Sequence, residues 1–277
     1  MHCLTLTCAD KKGIVASVAG CLRDNQCNIE ESAQFNDPAS DQFYMRVVFS
    51  FDAEEQLGKF SGCFTEIAET YSMQWEINDL ETKMKTVLMV SQHDHCLHDL
   101  LYRTKINALP IEITDIISNH DVTRDLADSY SIPFHHLPMD DKAEQEKQVK
   151  NIIEKSNAEL IVLARYMQIL SQDFIDEYNG RVINIHHSFL PGFKGARPYH
   201  QAYDRGVKII GATAHFATAD LDEGPIIVQR VAPVDHSYTP EKMQSLGRDT
   251  ETLALAKAIA LYGERRIFIH NNRTIIL

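Results

Sequence analysis

The sequence predicts an α/β protein in two parts: a small ferredoxin-like βαββαβ unit, then a larger, mostly parallel, Rossmann-like sheet covered by helices. Two observations carry that reading. Over the first 80 residues, segments of alternating apolar residues and segments of helical apolar spacing follow the order β-α-β-β-α-β. Further on, residues 87–90 are a continuous apolar run, and 111–117 and 160–163 are similar, as expected where both faces of a strand are covered.

Each element has its own signal. Leu4, Leu6 and Cys8 alternate with Cys3, Thr5 and Thr7, a half-buried strand. Asp10-Lys11-Lys12-Gly13 is a turn, after which Ile14, Val15, Val18, Ala19 and Leu22 recur at helical spacing. Residues 27–35 form a weaker strand, closed by the turn Asp37-Pro38-Ala39-Ser40. Phe43, Met45, Val47, Phe49 and Phe51 alternate strictly, which predicts a strand with one buried face. Residues 53–71 are helical, with Leu57, Phe60, Phe64 and Ile67 on one side, and Met73, Trp75 and Ile77 alternate again. Residues 79–85 are polar and read as a linker, so the two parts are expected at 1–81 and 82–277. In the second part a helix over 140–155, with Val149, Ile152 and Ile153 on its apolar face, separates two of the apolar runs. Residues 181–183 form a strand, and 209–216 and 226–231 flank the turn Asp222-Glu223-Gly224-Pro225. Thr239-Pro240-Glu241 opens a long helix with Pro at its first position, running to about Tyr262, and residues 267–277 form an apolar end.

Composition excludes several classes. With 44% hydrophobic and 24% charged residues the chain is globular, neither disordered nor fibrous. A formal net charge of −12 argues against a nucleic-acid-binding surface. None of the six cysteines forms a Cys-x-x-Cys pair or a zinc spacing. No apolar run is long enough to span a membrane and the N-terminus lacks a leader pattern, so a cytoplasmic protein with reduced thiols is expected.

The chemistry concentrates after the strand at 181–183. Asn184 and His186 are two apart, so in extended backbone they share a face, at the carboxyl end of a strand where open α/β sheets bind ligands. An amide donor beside an imidazole can hold a carbonyl and stabilise the oxyanion that develops on it. The loop Ser188-Phe189-Leu190-Pro191-Gly192 that follows suits a substrate-lining segment. Asp222 is a candidate general base if it reaches this pair. Ordinary turn chemistry before Gly-Pro is the competing reading, and Asp220 is a rival carboxylate.

Asn184-x-His186, Ser188-x-Leu190-Pro191, Gly211-x-Thr213-x-His215-Phe216 and Asp222-x-Gly224 together resemble the formyltransferase domain that uses 10-formyltetrahydrofolate. Leu163-Ala164-Arg165-Tyr166-Met167-Gln168-Ile169-Leu170 resembles that family's folate-pocket strand and loop, and the likeness covers about residues 84–270. It implies catalytic roles for Asn184, His186 and Asp222, with His215 in support. It implies substrate contacts from Met167, Gln168, Ile169, Leu170, Thr218, Ala219, Asp220 and Leu221. Arg103, Lys194 and Arg197 are candidates for the substrate's glutamate carboxylates.

The first part resembles an ACT domain, a strand followed by Asp10-x-x-Gly13-Ile14-Val15-Ala16 and a helix. ACT domains bind small amino acids, which implies an effector such as glycine or methionine near Asp10, Gly13, Asn28 and Ile29, and a homo-oligomer. A purely structural, assembly-building ACT domain is the alternative. An ACT domain ahead of a formyltransferase-like domain is similar to the formyltetrahydrofolate deformylases. That implies hydrolysis of 10-formyltetrahydrofolate to formate and tetrahydrofolate, which supplies formate for purine synthesis and balances the one-carbon pool. Neither a cofactor nor a metal is implied.

One segment separates hydrolase from transferase. Transferases for phosphorylated acceptors hold the phosphate on a Gly-rich segment after the first strand of this domain, with backbone N–H groups pointing at it. Here that segment is Ser91-Gln92-His93-Asp94-His95-Cys96-Leu97-His98, with no glycine and an acidic residue that repels phosphate. Water is then the natural nucleophile. A formyltransferase with a non-phosphorylated acceptor is the alternative. His93, Asp94, His95, Cys96 and His98 are all metal-ligand types, which keeps a zinc hydrolase open, but no His-Glu-x-x-His helix accompanies them. A non-catalytic binder on the same fold would have no need of Asn184, His186 and Asp222 together.

Overall fold

The computed structural model describes residues 1–53, 55–139, 141–192 and 198–277, with nothing said of the Pro198 side chain. Lys194 and Arg197 lie outside the described residues. The chain divides into two compact units. One is Met1–Thr82 with Glu264–Phe268 and Ile275–Leu277, the other Lys83–Gly263 with Ile269–Thr274.

The first unit is β1 (His2–Ala9), α1 (Ile14–Asp24), β2 (Asn28–Asp37), β3 (Gln42–Ser50), α2 (Glu55–Tyr71) and β4 (Gln74–Asp79). Its antiparallel sheet has the order β2-β3-β1-β4. One face carries a core of Leu4, Leu6, Phe43, Met45, Val47 and Phe49 against Phe60 and Phe64 of α2. β3 departs from the one-faced expectation, because every residue from Phe43 to Phe49 is buried. The C-terminal segment of this unit covers its second face. Tyr44 meets Phe268 edge-on at 5.6 Å, and Arg46 pairs with Glu31 at 2.8 Å and donates to the Glu264 carbonyl at 3.0 Å. Pattern alone does not reveal a cover supplied by residues more than 200 positions away.

The polar stretch at 79–85 is shorter as a linker than expected, since β4 runs to Asp79 and β5 begins at Met84. The second unit holds a seven-stranded sheet in the order β11-β10-β9-β8-β5-β6-β7. Its strands are β5 (Met84–Val90), β6 (Ile111–Ser118), β7 (Phe134–His136), β8 (Leu160–Leu163), β9 (Val182–His186), β10 (Ile209–Phe216) and β11 (Ile226–Pro233). β5 to β9 run parallel, and β10 and β11 close one edge antiparallel. The runs of β5 at 87–90 and of β8 are buried throughout as expected, whereas in β6 Glu112 is exposed and Thr114 half-buried. Helices α3 (His95–Lys105), α4 (Arg124–Ser129), α5 (Lys142–Ser156), α6 (Gln172–Glu177), α7 (Pro198–Asp204) and α8 (Pro240–Gly263) complete the unit. α5 starts where Asp141 accepts from the N–H groups of Ala143 and Glu144, and it ends at Asn157 in left-handed backbone (φ 51°). The apolar C-terminal end forms the hairpin β12 (Ile267–His270) and β13 (Arg273–Ile276).

The sheet order reverses at β5, with β6 on one side and β8 on the other. Ligand crevices of open α/β sheets form at such a reversal, beyond the carboxyl ends of the strands. The carboxyl ends of β8 and β9 follow on one side of it, with the antiparallel β10 beside β9.

Candidate active site

A cavity of about 540 Å³ opens at those strand ends, within the usual size for a small-molecule site. Three segments line it: 163–170 after β8, 184–187 at the end of β9, and 215–222 after β10.

β9 places Asn184 and His186 on one face, while Ile183 and Ile185 pack on the other side. The antiparallel register sets His215 opposite Asn184 and Thr213 opposite His186. The Thr213 hydroxyl donates to the Ser188 carbonyl at 3.0 Å and accepts from the Leu190 N–H at 3.1 Å, which fixes the loop after β9. The Leu190–Pro191 peptide is cis. Beyond β10 the chain turns so that Asp222, itself left-handed (φ 59°), comes back to the strand ends. Gly224 permits this return, since a Cβ there would collide with the Phe216 carbonyl.

Asn184, His186, His215 and Asp222 thus converge. Asp222 Oδ1 lies 3.1 Å from His186 Nδ1 and 3.7 Å from His215 Nε2. His186 Nε2 lies 2.8 Å from the Ser188 hydroxyl, which reaches the Gly192 carbonyl at 3.0 Å. Facing a carboxylate, Nδ1 of His186 must carry its proton. His215 donates through Nδ1 to the Phe216 carbonyl at 2.8 Å, and its Nε2 faces the Asn184 amide at 3.2 Å. Burial lowers the His215 pKa, so the ring is neutral and its Nε2 accepts from Asn184. Burial pushes the Asp222 carboxyl up, but the hydrogen bond and charge of His186 prevail and hold it below its ordinary value. The site therefore contains a carboxylate poised on an imidazole, beside an amide whose orientation is fixed by a second imidazole.

Met167, Gln168, Ile169, Leu170, Thr218, Ala219 and Leu221 all line the cavity. Asp220 does not; it is exposed and its carbonyl accepts from the Thr218 hydroxyl at 2.9 Å. Arg103 sits on α3, paired with Asp99 at 2.7 Å, and does not line the cavity either. Three lining or adjacent groups escaped the sequence reading. His187 is driven by burial to a pKa of about 4 and is neutral. Arg165 lies inside a quoted motif, but nothing in the motif gives its left-handed backbone (φ 65°). Glu251 is a buried acid in the middle of α8, 2% exposed, and a charged residue inside a long helical pattern ordinarily faces water.

The metal-ligand types at 93–98 disperse. His98 pairs with Asp94 on the surface, and among the described residues only His95 and Cys96 approach a third donor, Glu251. His95 Nε2 is engaged by Glu251 at 2.9 Å, and burial pushes the Cys96 thiol well up. In the other unit, Asp10 and Gly13 line a cavity of about 680 Å³ together with Lys12, Gln34 and Asn36, whereas Asn28 and Ile29 do not line it.

Comparison with known proteins agrees with this geometry. The family model described as formyl transferase matches residues 84–259. A formyltetrahydrofolate deformylase of Corynebacterium sp. (strain P-1) is 46% identical over 100% of this chain and 98% of its own length. The crystal structure of formyltetrahydrofolate deformylase from Burkholderia mallei ATCC 23344 is 48% identical, with a TM-score of 0.94 over 100% of this chain and 99% of that one. A phosphoribosylglycinamide formyltransferase from Anaplasma phagocytophilum is 28% identical, with a TM-score of 0.65, and matches 70% of this chain and 94% of its own. The transferase therefore shares only part of the chain, whereas the deformylases share all of it. This chain belongs to the formyl transferase family, within the full-length group of formyltetrahydrofolate deformylases.

Proposed function

We propose that the chain hydrolyses 10-formyltetrahydrofolate to formate and tetrahydrofolate. The observation that carries this reading is the 3.1 Å contact of Asp222 with His186 beside Asn184, at a cavity in a chain matched end to end by deformylases. The formyl carbonyl rests against Asn184 and His186. Asp222, acting with His186, takes a proton from water as the water oxygen bonds to the formyl carbon. The second N–H of the Asn184 amide and the protonated imidazole hold the oxyanion, and His215 keeps that amide turned toward it. The C–N10 bond then breaks, N10 receives a proton, and formate leaves. The apolar side chains of Met167, Ile169, Leu170 and Leu221 suit the flat pteridine and benzoyl rings of a folate. Gln168, Thr218 and Ala219 complete the wall.

The N-terminal unit binds an amino-acid effector, glycine or methionine, at the cavity near Asp10 and Gly13. The chain assembles as a homo-oligomer in the cytoplasm. The exposed edge strand β2, with most of its residues open to solvent, is the edge a second copy pairs with.

The test is release of formate and tetrahydrofolate from 10-formyltetrahydrofolate with no acceptor added. Turnover in the wild type that drops by about 10²–10⁴ in Asp222→Asn supports the reading. Release only when an amine acceptor is supplied replaces it with a transferase.

A further inference from the structure

Arg165 is the only lysine or arginine among the described residues that line the catalytic cavity. It is 9% exposed, in left-handed backbone that long side chains avoid. That conformation is held on both sides. The Arg165 N–H donates to the Leu163 carbonyl at 3.1 Å, and its carbonyl accepts from the Ser91 N–H at 3.2 Å. Backbone strain of this kind persists where a side chain is needed in one place.

The guanidinium is not spent on its neighbour. Nε is buried 3.4 Å from Glu251 Oε2 and closed to the cavity, so the donors left for a ligand are the two terminal guanidinium nitrogens, which make no hydrogen bond among the described residues. Glu251 is already served at both oxygens: Oε1 accepts from the Tyr199 hydroxyl at 3.0 Å and Oε2 from His95 Nε2 at 2.9 Å. Gly247 makes room for the first of these, because a Cβ there would strike the Tyr199 ring. Burial works against the Glu251 charge, but the His95 hydrogen bond and the Arg165 charge keep the carboxyl below its ordinary value and ionised. Glu251 thus holds Arg165 by charge and leaves it a free donor, while His187 on the same wall is neutral.

We propose that Arg165 is the binding site for the carboxylate of formate, the anionic product. The inference rests on the hydrolase reading above. Water and the formyl amide give the N10 amine, formate and one proton, so one negative charge appears in the cavity as the C–N10 bond breaks. A guanidinium with an unspent N–H is the group that receives a planar carboxylate. The folate's glutamate tail carries the same chemistry. However, Met167, Ile169 and Leu221 are 55–60% exposed, whereas Arg165 and His186, which line the same cavity, are each under 10% exposed, which favours the small carboxylate.

The experiment measures binding of ¹³C-formate to the full-length protein by NMR line broadening, without folate, for wild type, Arg165→Met and Arg165→Lys. In parallel, kcat/KM is measured on 10-formyltetrahydrofolate and on the tail-free 10-formylpteroate. The expected result is formate affinity weakened about 10- to 100-fold in Arg165→Met. Both substrates then lose kcat/KM equally, and Arg165→Lys falls between, because a point charge replaces the fork. Formate affinity unchanged in the folded variants overturns the proposal. So does a loss confined to KM of the tailed substrate, which would assign Arg165 to the glutamate. Should Arg165→Met not fold, Arg165→Lys decides alone on formate affinity. Wild type that binds formate through Arg165 but releases none from 10-formyltetrahydrofolate would sink the hydrolase reading and leave the anion site standing.

Discussion

Asp222 combines a left-handed backbone with a carboxylate 10% exposed and 3.1 Å from His186. Its folded pKa lies below the ordinary 3.8 despite burial, so folding favours the ionised form. The sign follows: the ion pair stabilises the fold above the unfolded pKa, and that contribution is lost as pH falls through the lower, folded one. Urea denaturation over a series of acidic pH values should therefore show wild type losing stability that Asp222→Asn does not lose. Parallel curves would mean that the carboxylate is not held by His186. His215 makes a second residue-scale prediction. Its Nε2 accepts from the Asn184 amide, while its Nδ1 is committed to the Phe216 carbonyl. His215→Phe removes the acceptor and lets the amide rotate. We expect kcat to fall about 10- to 100-fold with KM nearly constant, the signature of a misplaced oxyanion donor. His215→Gln, which restores an acceptor, should recover part of the rate, and a variant whose KM rises while kcat holds would assign His215 to substrate binding instead.

At the scale of elements, the segment from the end of β10 to β11 shows how local geometry sets chemistry. Asp222 returns to the strand ends only because Gly224 lies against the Phe216 carbonyl, and the Phe216 N–H closes the turn on the Pro225 carbonyl at 3.0 Å. Gly224→Ala should cost about 1–3 kcal/mol and lower kcat as Asp222 shifts, read by thermal unfolding and steady-state kinetics. Full activity and stability would show that the turn relaxes freely. Asp-x-Gly-Pro reads as a turn from sequence, yet the contact that requires the glycine comes from the Phe216 carbonyl at the end of β10, eight residues earlier. α1, α2 and α5 were legible because burial imposes a period on ten or more residues, and α8 because Pro240 marks its first turn. α4, α6 and α7, with six or seven residues each, and the three-residue β7, are too short for a period to form. α3 was hidden differently. Cys96, Leu97, Leu100 and Leu101 form its buried stripe, but the polar residues at 93–98 mark only a strand-to-helix junction, without the bounds of the helix. Asn184 and His186 were legible because a strand's period of two puts them on one face, whereas Arg165 and Glu251 are brought together by α8 packing over the ends of distant strands, which no local pattern encodes.

For the whole molecule, the two units pose a question of control, because hydrolysing an activated one-carbon carrier without restraint wastes it. Regulation requires the effector to bind one state of the enzyme better than another; equal affinity for both would leave the rate unchanged. The cavity near Asp10 offers a free amino acid one group of each sign: the Asp10 carboxylate, already accepting from Asn36 Nδ2 at 2.6 Å, for an ammonium, and Lys12 on the same lining for a carboxylate. Glycine or methionine should therefore change the rate of formate release by the wild type, and Asp10→Ala should abolish that response while leaving the basal rate intact, since Asp10 belongs to the first unit and the catalytic groups to the second. Titration of both amino acids against initial rates of both proteins decides it. A response that persists in Asp10→Ala moves the effector elsewhere. No response in the wild type, with a native mass of two or more chains, makes the first unit a device of assembly, and its β2 edge the place where copies join.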